Sequence, residues 1–194
     1  METDSTSNLN IQLSGEKNNI IPPHMKGTAE FSPNKTYRYV LSRDWSLPDE
    51  EKKTVLFIML NPSTADENVF DPTVRRCFGY AVRWGFNVMK VANIYAYRAT
   101  NPKDMLNAEK IGIDIIGLPE NDLWITKLSS EADKIICAWG AMKWSKERET
   151  KVLKFLTMWH PDKLYCLRKT KDGRPVHPLY QRNDVELIKL LEEK

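Results

Sequence analysis

The chain has 194 residues, 41% hydrophobic and 28% charged, with 29 Lys and Arg against 26 Asp and Glu and a net charge of +3. That apolar content excludes a disordered chain, the scattered Gly and Pro exclude collagen-like and low-complexity classes, and so small a surplus of charge names no partner. One domain with a packed core is expected. A membrane span is not, because the longest apolar stretches, such as Val55 to Leu60 and Val88 to Ile94, fall far short of the roughly 20 residues a span needs.

Residues 1–24 are rich in Ser, Asn and Thr, carry one Lys against three acids and end in Pro22 and Pro23. They read as a flexible tail without the apolar core of a secretory signal. Residues 25–194 then form a single α/β domain carrying +5. Three cysteines, Cys77, Cys137 and Cys166, lie in apolar runs without metal spacing, which suits buried reduced thiols in a cytoplasmic protein.

Thr36 to Leu41 alternates polar and apolar residues and reads as a half-exposed N-terminal edge strand. Val55–Leu60, Val88–Ile94, Lys134–Trp139 and Leu164–Leu167 are short apolar runs, each followed by a loop, as in strands buried on both faces. Helices are expected between them: Pro72–Trp84 behind an Asp71 N-cap, Asp104–Ile116, Asp122–Ser130, Lys146–Trp159, and a last one over Asp184–Glu193. This alternation predicts a three-layer α/β/α sandwich around a mainly parallel four-stranded sheet. Ligands of such folds sit beyond the carboxyl ends of the strands.

The first strand runs into Asn61-Pro62-Ser63-Thr64, followed by Asp66 and Asp71. Alone, this reads first as a self-capped turn. Arg75 and Arg76 follow one turn inside a helix start, where exposed amides favour anions. The second strand ends at Asn93, Tyr95, Tyr97 and Arg98, a set that suits base stacking and phosphate pairing or, as readily, interfacial packing. Trp139 reads first as core, and Gly140 beside it permits a close approach. The most basic segment, Arg168 to Arg182, holds His177 and Tyr180. A lone His is more often structural than catalytic, but His177 is raised by a strand-end loop rich in Gly, Pro, Lys and Arg, whereas His24 lies in the tail and His160 ends a helix. Walker, GxGxxG, HExxH and GxSxG motifs are absent, and neither a cofactor nor a metal is expected.

The segments TYRYVLSRDW, LNPSTADENVFDPTVRRC, VANIYAYRATNP, GLPEND, CAWG and GRPVHPLY together resemble the bacterial and phage family catalogued as domain of unknown function 1643. More distantly, the order of Asn-Pro, Trp-Gly and His-Pro at successive strand ends is similar to the uracil-DNA glycosylase superfamily. That resemblance implies a glycosylase-like fold, with Asn61 orienting water, His177 stabilising charge on a departing base, and Tyr95 or Tyr97 stacking on it. Asn61, His177 and Asp66 are then the candidate catalytic residues. The expected function is hydrolysis of a glycosidic bond in a nucleobase or nucleotide, with nucleic acid or nucleotide as partner. The alternatives are a non-catalytic nucleic-acid or nucleotide binding module, or an enzyme acting on a small phosphorylated metabolite.

Overall fold

A computed structural model describes residues 20–191; the expected tail, up to residue 19, lies outside the described residues. In chain order the elements are β1 (Lys26–Phe31), β2 (Arg38–Asp44), β3 (Thr54–Met59), α1 (Pro72–Arg83), β4 (Val88–Asn93), α2 (Pro102–Lys110), α3 (Glu120–Glu131), β5 (Lys134–Cys137), α4 (Lys146–Trp159), β6 (Leu164–Cys166) and β7 (Ile188–Lys189). The strands form one seven-stranded sheet in the order β1-β2-β4-β3-β5-β6-β7. Among the described residues no helix is long and apolar enough to cross a membrane.

All six residues of β3 are buried, as an unbroken Thr-Val-Leu-Phe-Ile-Met run requires when both faces are covered. β4 and β5 flank it in parallel, and β6 continues the parallel set beyond β5. Side chains of β3 alternate between two cores. Val55, Phe57 and Met59 pack with Val74, Cys77, Phe78 and Ala81 of α1. Leu56 and Ile58 pack on the other face with Met105, Ile125, Leu128, Val152 and Leu156 from α2, α3 and α4. The helices therefore cover both faces of the sheet.

The parallel centre agrees with the sequence, but the sheet has seven strands instead of four and an N-terminal edge strand. β1 was not expected, and it displaces β2 from the edge by pairing Lys26–Phe31 antiparallel to Arg38–Asp44. Gly27 marks why this strand is polar and tight: a Cβ there would stand 1.8 Å from the Glu67 carbonyl oxygen. A second correction is the last helix, since Ile188–Lys189 instead pairs antiparallel with β6. The Leu190 N–H also donates to Leu164 O, so the unpaired edge of β6 overrides the helical propensity of this segment. α2 stops at Lys110 and not at Ile116, because Asp114 folds back to accept the N–H groups of Ile116, Gly117 and Leu118.

Candidate functional site

β3 feeds α1 on one face of the sheet, whereas its neighbour β5 feeds α4 on the other. Their connections leave in opposite directions, and in open parallel sheets ligands bind beyond the carboxyl ends of the strands at such a point. Asn61 and Pro62 follow β3 at this point, and Trp139 and Gly140 follow β5.

Asn61 is a clamp. Its Nδ2 donates to Pro62 O at 3.1 Å and to Ala99 O at 2.7 Å, and Ala99 N–H returns a bond to Pro62 O at 2.9 Å. Both amide hydrogens are thus used to tie the loop after β3 to the loop after β4. What Asn61 has left to present is its Oδ1 acceptor.

The rest of this loop rests on two arginines the sequence did not single out. Arg38 of β2 is buried and donates from Nη1 to Ala65 O at 2.6 Å. Burial pushes its pKa down to about 10 against the pull of Asp71, and the nearby Arg98 and Arg43 add to the fall. Arg43 donates from Nη2 to Asp66 O and Val69 O, at 2.5 and 2.9 Å. It also stacks over Phe70, as does Arg75, with guanidinium carbons 5.1 and 5.2 Å from the ring centroid. Asp66 itself accepts the Asn68 N–H at 2.9 Å, an Asx turn. In sequence Arg38 and Arg43 look like the polar face of a strand; only the loop folded over them reveals their use.

Asp71 caps α1, its Oδ1 accepting the Val74 N–H at 2.8 Å. It is buried and faces His177 electrostatically, favouring the imidazolium, but burial dominates and holds the His177 pKa below its ordinary value. Nδ1 of His177 accepts the Leu179 N–H at 3.3 Å, so the neutral ring carries its proton on Nε2. Gly140 packs against this loop; a Cβ there would stand 3.5 Å from Cβ of His177, an ordinary contact, so its φ of +82 and not lack of space is what calls for glycine.

Arg174 holds the His177 loop in place. Its Nε and Nη2 reach the two carboxylate oxygens of Glu149 at 3.0 and 2.5 Å, and it donates further to Ala141 O and Met142 O. Ser145 Oγ donates to the same carboxylate. The basic segment is thus less open than its composition implies, since Arg182 is also paired, with Asp184.

Ser63, Thr64, Tyr97 and Arg98 come together in an open cleft of about 360 Å³, with Lys35, Thr36 and Thr100. Arg75 and Arg76 line a separate groove of about 370 Å³ along α1. Asn93 is buried at the end of β4 with both amide atoms unpartnered within the protein, and Trp139 is buried with Nε1 likewise unpartnered. Tyr95 packs on Trp144 in the core, its hydroxyl pKa pushed up to about 12 by burial. Tyr180, by contrast, is 84% exposed.

Fold and site define an open-sheet α/β protein with polar loops gathered at its carboxyl edge. The family model described as Protein of unknown function (DUF1643) matches residues 38–179, and the chain belongs to that family. The matched span takes in every loop from Asn61 to His177. Comparison with curated proteins and with solved structures gives no match.

Proposed function

We propose that the protein hydrolyses an N-glycosidic bond of a nucleobase or nucleotide, in the manner of uracil-DNA-glycosylase-like enzymes, with nucleic acid as its partner. What supports this reading is that Asn61, just past β3, has both amide hydrogens spent and Oδ1 left to offer, while His177, in the loop after β6, lies against Gly140 just past β5. A tethered Asn61 presents Oδ1 to hold a water against the sugar carbon. The water oxygen bonds to that carbon, its proton passes to the Asp66 carboxylate, and the base leaves with the electron pair of the broken C–N bond. The Nε2–H of a neutral His177 stabilises that negative charge without adding a proton beforehand. Half-exposed Tyr97 is better placed than buried Tyr95 to meet the base. The three buried thiols suit a cytoplasmic setting.

The test is release of free base from oligonucleotides carrying varied or damaged bases. Asn61→Ala should reduce release by about 100-fold or more, with folding checked separately. No free base from any substrate, or equal release by the variant, overturns the reading. A non-catalytic nucleotide-binding module is the second reading, favoured by the Arg75 and Arg76 groove on α1. It expects affinity that falls steeply with salt and no turnover.

A further inference from the structure

The turn between β1 and β2 brings one more group to this edge. Lys35 sits in it at φ +55. Its Nζ lies 5.7 Å from the centroid of the Phe31 ring, and the Arg98 guanidinium lies 4.9 Å from the same centroid. Arg98 is also tethered to this turn, donating from Nη1 to Lys35 O at 3.2 Å. One aromatic ring and one carbonyl therefore gather two cations, although like charges repel at this range.

Nothing in the cleft offsets that repulsion. Among the described residues lining it none is acidic, and Thr36, Ser63, Thr64 and Thr100 add hydroxyls to the two cations. Arg38, which donates to the carbonyl of Ala65 next in chain to Thr64, adds a third positive charge near Arg98. The Nε atoms of Arg38 and Arg98 are buried and have no hydrogen-bond partner within the protein. Burial pushes Arg38 down to about 10; Asp71 opposes that fall, and the guanidinium of Arg98 adds to it. An anion in the cleft would relieve this crowding, and hydroxyls with a lysine and an arginine are the donors that phosphate oxygens take.

We infer that this cleft is a phosphate subsite, in which Lys35, Arg98 and the hydroxyls of Ser63, Thr64 and Thr100 hold the phosphate ester of a nucleotide. It deepens the nucleotide-directed reading of the same edge and rests on it for the kind of ester. Tyr97, in the same wall, supplies a ring beside the phosphate for the attached sugar and base. The phosphate source is either the terminal monoester of a free nucleotide or an internal diester of a strand.

Binding to the full chain is measured by calorimetry with inorganic phosphate, a nucleoside 5′-monophosphate, the same nucleoside without phosphate, and an oligonucleotide lacking a terminal phosphate. The monophosphate should bind at least about tenfold more tightly than the nucleoside, the strength of one charged hydrogen bond or more. Lys35→Gln and Thr64→Val, both at exposed positions, should each weaken phosphate binding with no change in melting temperature, and added salt should weaken it further. Preference for the monophosphate over the oligonucleotide identifies a terminal ester, and the reverse identifies a diester; both support the subsite. Failure of phosphate to bind, equal affinity for nucleoside and nucleotide, or unchanged affinity in both variants overturns it. Because binding is read without turnover, the subsite stands if no base is ever released. Base release that is indifferent to Lys35→Gln removes the subsite and keeps the glycosidase.

Discussion

Arg174 and Glu149 form a two-pronged ion pair between the loop after β6 and the first turns of α4, with Nε and Nη2 on separate carboxylate oxygens. The side chains are 14% and 7% exposed. Removing one partner leaves a buried charge alone, so Arg174→Ala should lower unfolding free energy by about 3 kcal/mol. Denaturant titration checks this, and a double variant replacing both residues with Met and Leu should recover much of the loss. A fall below about 1 kcal/mol for the single variant would show that the pair does not hold the His177 loop.

His177 makes stability depend on pH in one direction. Burial lowers its folded pKa below 6.5, and Asp71 only partly opposes this. Between the two values the unfolded chain binds more protons than the folded one, so stability is kept above about pH 6.5 and lost as pH falls through the folded value. Urea midpoints taken from about pH 7.5 down to about pH 5.5 should fall more steeply for the wild type than for His177→Gln. His160 is lowered in the same direction by burial and Lys163. The double variant should therefore flatten the profile further.

Gly27→Ala tests the seam between β1 and the loop after β3. The added methyl meets the Glu67 carbonyl at 1.8 Å, a backbone atom that cannot rotate away. A cost of about 1–3 kcal/mol is expected, seen as a lower melting temperature. An unchanged melting temperature would show that the 65–69 loop is not seated on this strand.

Arg43→Lys is not a conservative change here. One ammonium cannot stack flat on Phe70 while reaching the carbonyls of Ser42, Asp66 and Val69. Loss of about 1–3 kcal/mol in denaturant unfolding is expected, because the freed carbonyls are partly buried. Equal stability of the two proteins would show that the guanidinium fork does not matter.

Elements whose pattern reflects their own burial were legible. α4 occupies Lys146–Trp159 as read, three of the four apolar runs contain a parallel strand, and the fourth, Val55–Leu60, overlaps β3 shifted by one residue. Elements decided by a distant partner were not. The segment around Ile188 has helical composition, yet the open edge of β6 claims it. β1 is half exposed and carries Lys, Gly, Thr and Glu, so no apolar run announces it. Asn61 and Gly140 were legible as strand-end positions because turn residues after apolar runs mark strand ends, and His177 stood out only through the basic loop around it. Lys35, Arg38 and Arg43 were not, because they precede the first such run and meet the loops after β3 and β4 only through antiparallel pairing. Arg174 stood out as basic charge, and nothing local reveals that it is spent on Glu149.

The antiparallel order of β2 against β4 has an effect on how this mouth can vary. Between parallel strands, a chain must cross a whole layer before it returns to the same end. β2 runs the other way, pairing Leu41 with Val91 and Asp44 with Val88, so its amino end, and with it the turn bearing Lys35, arrives directly where β4 finishes. That turn can lengthen, shorten or change its side chains without re-routing any helix or disturbing the two cores. It is the part of the rim that can drift while the loops bearing Asn61 and His177 stay fixed.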